Sequence, residues 1–345
     1  MTAWMTPILH KSKSDLIGIL GFECRYECQR SVFLYELSPI AICVQANFKN
    51  FNEVLFFCNE DEEDCERGAE DIIARFVDFV FAASAEAKRL MSARLKPYLD
   101  QMRSKMNFYK TLYKPYERVL KAVRCNNNGA KLSKRAAESE AQVRLLANGF
   151  SLVEIENMRL AGKTFALISK LWLELDQYLS QMPCLGYASR SFDIQVMKRF
   201  LLPALCRRCG ELGKDSSCIS AITKHQRYSA IYTPNLVFFD AFNYTSPMPL
   251  KTFLKTWNVS DEDGKLDSIF PYDYITIPRL KETQLPPMKC SNNWLRNEIM
   301  TPEKYEKVEN FWAHNNVRDL KMLLRLYNEA DVTSLMLALK NLYDY

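Results

Sequence analysis

Two side chains four residues apart, Tyr327 and Asp331, hold the most chemistry in this sequence. They stand in a stretch, residues 317–339, whose apolar residues recur at steps of three and four with neither Pro nor Gly, the period of a helix packed along one side. A separation of four puts both on the same face, one turn apart. A phenol beside a carboxylate can hold a divalent cation and the water bound to it, which is what cleavage of a phosphodiester requires. The other metal-ligand types are arranged less usefully. Cys206, Cys209, Cys218 and His225 fit no common zinc spacing, and residues 201–209 read as helix. His10, His225 and His314 give no histidine-based triad.

The residues around the pair extend it to a longer pattern. Leu285-Pro286-Pro287, then Met300-Thr301-Pro302-Glu303-Lys304-Tyr305, then Tyr327-Asn328-x-x-Asp331-Val332 resemble the third exonuclease motif of family B DNA polymerases. The resemblance is closest to the protein-primed branch carried by adenoviruses, linear organellar plasmids and Polinton or Maverick elements. It implies a helix whose Tyr and Asp close the metal site of a 3′-5′ exonuclease. Gly21-Phe22-Glu23 then matches the first motif, Asp-x-Glu, with glycine where the family has aspartate. Asp15 is no substitute, since on a strand rising about 3.3 Å per residue it lies about 26 Å from Glu23. Phe192-Asp193 matches the end of the second motif, with Ala188 in place of its Asn. Asp193 is also expected at a helix start, where the dipole favours a negative charge or a cap. Pro249-Leu250-Lys251-Thr252-Phe253 resembles the (Ser/Thr)-Leu-x-x-hydrophobic motif that holds the primer end, with Pro249 replacing the hydroxyl residue.

These residues need elements to position them. Residues 16–24, 38–48 and 53–58 read as three strands at hairpin spacing, followed by a helix over about 71–81. That order resembles the opening of a ribonuclease H-like exonuclease. Residues 83–181 are patterned as helix, with Asn126-Asn127-Asn128-Gly129 as the best linker. A short strand and a polar turn over 183–193, a helix from Ile194 to Arg208 and a strand over 235–240 follow. Phe242, Tyr244, Phe253 and Trp257 are candidates to stack on bases.

With 345 residues, 48% hydrophobic and 25% charged, the chain has the composition of a soluble globular protein. The net charge of +5 is compatible with a nucleic-acid surface. No apolar run approaches the roughly 20 residues of a membrane span, and the first residues lack a secretory layout. Eleven cysteines without a regular framework point to reduced thiols in an intracellular compartment, nucleus or cytoplasm.

The expected fold class is therefore α/β, a ribonuclease H-like (DnaQ-type exonuclease) mixed sheet with a large helical insertion. Residues 1–82 are the first part of the exonuclease fold, 83–181 the insertion and 182–345 the second part, with the polymerase palm absent. The resemblance implies catalytic Glu23, Asp193, Tyr327 and Asp331, of which Glu23, Asp193 and Asp331 hold Mg2+ or Mn2+. It implies contacts to DNA through Phe192, Leu250 and Phe253. The implied partners are single-stranded DNA or a primer 3′ end, a priming terminal protein and a downstream polymerase domain, with no membrane. The missing Asp and Asn leave two expectations, an impaired exonuclease or a catalytically dead chain, either a module that binds single-stranded DNA or a mobile-element relic with no maintained role.

Overall fold

The computed structural model describes residues 20–30, 35–125, 133–189, 192–224, 227–243, 245, 248–259, 270–272, 274–292 and 299–344, with only the backbone given for 20–37. The chain divides into two compact units, one of residues 1–88 and 180–345, the other of residues 89–179.

The first unit is α/β. Strands β1 (Leu20–Arg30), β2 (Tyr35–Ala46) and β3 (Leu55–Cys58) form an antiparallel meander. Helix α1 (Cys65–Cys125) follows and continues into the second unit. Its start is fixed locally. Asp64 accepts the Arg67 N–H at 2.9 Å, and buried Asn59 donates to the Cys65 carbonyl at 2.9 Å. Asn59 is so close to Gly68 that a Cβ there would lie 1.9 Å from its Oδ1, so only glycine fits.

Helices α2 (Lys134–Ala147) and α3 (Leu152–Ser180) lie almost wholly in the second unit, where Tyr116, Leu120, Ala141, Leu145 and Ile155 form the core. Ser151 and Glu154 cap α3 reciprocally, backbone N–H to side chain in both directions. In the first unit β4 (Met182–Gly186), α4 (Asp193–Glu211), the hairpin β5 (Ser220–Lys224) and β6 (Arg227–Tyr232), and β7 (Leu236–Asp240) complete the sheet. Its order is β3-β2-β1-β4-β7-β6-β5, with β4 parallel to β1 and β7 and the other pairs antiparallel. Among the described residues the α-helices that follow are α5 (Leu250–Thr256), α6 (Pro302–His314) and α7 (Leu320–Asp344).

Successive strand residues face opposite sides of a sheet. Phe238 of β7 meets Phe76 of α1 at 6.3 Å, whereas Phe239 packs in the cluster that holds Leu335 and Leu339 of α7. Helices α1 and α7 therefore cover opposite faces.

Several expectations need correction. Strand β1 runs on to Arg30, six residues past the expected end at Cys24, because Tyr35–Pro39 supplies a partner for its charged second half across a bulge at Arg25/Tyr26. The helix expected over 71–81 is the first part of a 61-residue helix that accommodates Pro97 and Pro115. The β5–β6 hairpin has no counterpart in the sequence reading. The linker at Asn126–Gly129 and the residues before Leu20 lie outside the described residues. Among the described residues no helix is long and apolar enough to cross a membrane.

Candidate active site

The first turn of a helix has four N–H groups without intrahelical partners, and a buried helix start needs them satisfied. In α7 three of them are shown to be. Leu320 and Lys321 donate to the Glu282 and Leu280 carbonyls and Met322 to the Asp319 carboxylate, and the helical ladder then begins with Leu323 to the Asp319 carbonyl. The residues of the third-motif resemblance supply further supports. Thr301 caps α6, with Pro302 in its first turn, and the Tyr305 hydroxyl donates to the Pro286 carbonyl at 2.9 Å.

So anchored, α7 brings Tyr327 and Asp331 to one cleft of about 590 Å3, whose lining also includes Glu53, Asn258, Glu329 and Ser334. Tyr327 is only 3% exposed. Its ring lies 4.6 Å from that of Phe270, and its hydroxyl is 3.0 Å from the Tyr272 hydroxyl. Asp331 is half-buried.

Glu23 is placed by its backbone, in register with Cys43 of β2. Cys43 is fully buried in a cluster with Val332 and Met336. The residue next to Asp331 therefore packs on the strand position opposite Glu23, although 308 residues separate the two acids. Two residues earlier in β1, Gly21 pairs with Gln45 and Leu185, and Leu185 packs with Leu335 and Leu339. The backbone of Gly21 thus lies under the same helix.

Asp193 is reached by another route. It is the first residue of α4, directly after the turn that leaves β4, and it is buried. It is not a cap, as that position belongs to Phe192, which has no side-chain cap bond. Nor is it among the residues lining the Tyr327 cleft. The turn is strained. Ala188 has φ +55°, a left-handed conformation that Asn tolerates and Ala does not favour. The Ser189 hydroxyl, fully buried, makes no hydrogen bond among the described residues.

The expected DNA contacts divide. Phe192 is 37% exposed beside Asp193. Leu250 is half-buried at the start of α5, where Pro249 gives no capping hydrogen bond. Phe253 is a correction, being fully buried, its ring 5.0 Å from that of Tyr187, so it presents no face to a base. Phe242 stacks edge-on to Tyr187, and Tyr244 lies outside the described residues.

Other polar groups escaped the sequence reading. Glu53, expected to open the third strand but lying in the bend before β3, and Asn258, just after α5, line the cleft. Asp240 ends β7 opposite Gly186, fully buried, and accepts the Phe242 N–H at 2.9 Å. Burial and then the Asp240 charge push the Tyr187 hydroxyl above the usual tyrosine range. Away from this region, burial first and the neighbouring Cys218 second push the Cys209 thiol up to about 12, so it is a poor thiolate ligand.

A set of carboxylates with a phenol suits a hard cation such as Mg2+. Among the described residues no group of three or more His, Cys, Asp or Glu is gathered closely enough to hold a metal, and the side chain of Glu23 falls outside them. Neither protein-family profiles, nor curated proteins, nor solved structures match the chain.

Proposed function

We propose that this chain is the exonuclease-bearing part of a protein-primed family B DNA polymerase, with a ribonuclease H-like fold, acting on the 3′ end of single-stranded DNA. The observation that supports this most is the placement of α7, whose Val332 packs on Cys43, the register partner of Glu23. Two motifs at opposite ends of the sequence meet there. The meander running into a helix also accords with the expected opening of that fold.

In this reading Asp331 and Glu23, with Asp193 from α4, are the residues that would hold Mg2+ or Mn2+. The ion, when bound, supplies an activated water and stabilises the leaving oxygen. Tyr327, whose hydroxyl is 3.0 Å from that of Tyr272, orients the attacking water. Phe192 and Leu250 contact the terminal nucleotides. Gly21 supplies no ligand, and neither Ala188 nor Pro249 offers a side-chain hydrogen bond to the strand, so cleavage is slow. An intracellular setting, a priming terminal protein and a downstream polymerase domain belong to the same proposal.

The test is Mg2+-dependent release of nucleotides from a 3′-labelled single strand. The unmodified chain should cleave weakly, Gly21→Asp should cleave faster, and Asp331→Ala in the Gly21→Asp background should return to blank. Robust cleavage by the unmodified chain, abolished by Asp331→Ala, would refute this account of Gly21. The second reading, a single-strand-binding module without cleavage, is favoured by Gly21 itself. It predicts salt-dependent DNA binding with no cleavage by any of the three proteins.

A further inference from the structure

A second cleft, of about 340 Å3, opens at the other end of the same edge of the sheet. Arg75, Arg318, Lys321 and Arg325 line it together with Glu60 and Asp319, four cations against two carboxylates. Both clefts are framed by α7 and by the chain from Glu53 to Glu60. They adjoin, because Arg325 of the basic cleft pairs at 2.7 Å with Glu329 of the Tyr327 cleft. Charge is therefore sorted along α7 and the residues that lead into it, with carboxylates at Glu329 and Asp331 and cations at Arg325 and Lys321 of the helix and at Arg318 just before it.

We propose that the basic cleft binds the sugar-phosphate backbone of the DNA strand whose 3′ end reaches Asp331. This extends the nuclease reading to the body of the strand and rests on it for the choice of ligand. Asp331 and Lys321 are ten residues apart, about 15 Å along a helix rising about 1.5 Å per residue. One strand carries a charge about every 3.4 Å in duplex geometry, so this span matches roughly four phosphates. The carboxylate end repels a polyanion and the cationic end attracts it, which sets the direction of the strand. Not all of the positive charge is already committed. Lys321 pairs with Glu60 at 2.6 Å, and the Asp319 carboxylate accepts the Met322 N–H. Arg318 is exposed, with no ion pair among the described residues. Arg75, paired with Asp71 at 3.4 Å, keeps half its side chain in solvent.

The test is fluorescence anisotropy of a labelled single-stranded oligonucleotide across a salt series, in EDTA so that binding is read without cleavage. Each phosphate-neutralising cation contributes about 0.7 to the slope of log K against log salt for single strands. Arg75→Gln/Arg318→Ala should weaken binding and lower the slope by about 1.4, whereas Lys307→Ala/Lys340→Ala, which removes exposed cations outside the cleft, should leave it within error. If the double variant is not folded by circular dichroism, Arg75→Gln is measured instead, with an expected loss of about 0.7. An unchanged slope in the cleft variants, an equal loss in the control, or no binding by the unmodified chain at low salt overturns the subsite. The expected slopes in a chain that never cleaves would uphold the subsite and refute the nuclease reading alone.

Discussion

Helices α7 and α3 are alike as sequence and opposite as structure. Both have apolar residues at helical spacing, over 25 and 29 residues. Yet α7 buries eleven of its residues and α3 only three. Leu324 of α7 is fully buried, while Leu167 of α3 is 60% exposed. The difference lies in what each meets. Helix α7 lies on a sheet face that accepts a wide apolar stripe, and α3 sits in a small helical unit whose core is mostly completed by α1 and α2. Periodicity reports which side of a helix is apolar, and says nothing about what covers that side. Chemistry that needs side chains held to a fraction of an ångström belongs on the helix that is held.

The comparison can be broken first where the expected effect is largest. Gly21→Asp should raise Mg2+-dependent cleavage about a thousandfold, about 4 kcal/mol of barrier at about 1.4 kcal/mol per tenfold. In that background Asp331→Ala on α7 should abolish it, while Asp176→Ala on α3 should leave it unchanged in the same nucleotide-release assay. A loss with Asp176→Ala would show that the helical unit takes part in the chemistry.

Stability gives the next largest contrast. Leu324→Ala should cost about 2–5 kcal/mol through lost burial and a cavity, and Leu167→Ala should fall within about 0.5 kcal/mol of the parent. Urea unfolding followed by circular dichroism measures both, and equal losses would mean that α3 is covered in solution. The smallest effect concerns two turns. The α2–α3 turn has Gly149 at φ +86°, where glycine is free of strain, but the turn before α4 has Ala188 at φ +55°. Ala188→Gly should therefore stabilise the protein by about 1 kcal/mol, and Gly149→Ala should destabilise it by a similar amount. A loss of stability with Ala188→Gly would mean that the alanine methyl makes a contact worth more than the strain.

What could be read in advance was what is local. Tyr327 and Asp331 share a face by helical arithmetic, and β2, β3 and β7 stand out as apolar runs between polar turns. The charged second half of β1 was hidden because its pairing is supplied by residues across a hairpin. Strand β5 was hidden because all five of its residues are exposed, so it has no apolar face to signal a strand. Phe253 looked like a platform for bases and is core, since nothing in Leu250–Thr256 reveals that Leu185 and Leu339 close over it. Glu53 and Asn258 come to the cleft only through tertiary placement, which one sequence does not encode as spacing.

Lys88 and Ser180, the residues of the first unit that flank the helical segment in the chain, are joined directly, the Lys88 ammonium donating to the Ser180 hydroxyl at 2.6 Å. Closing a gap between neighbouring points needs only a short loop, and loop length adds little to the cost of closure. The length of the segment between these residues is therefore only weakly constrained by closure, and it can be shortened or replaced while Lys88 and Ser180 still meet.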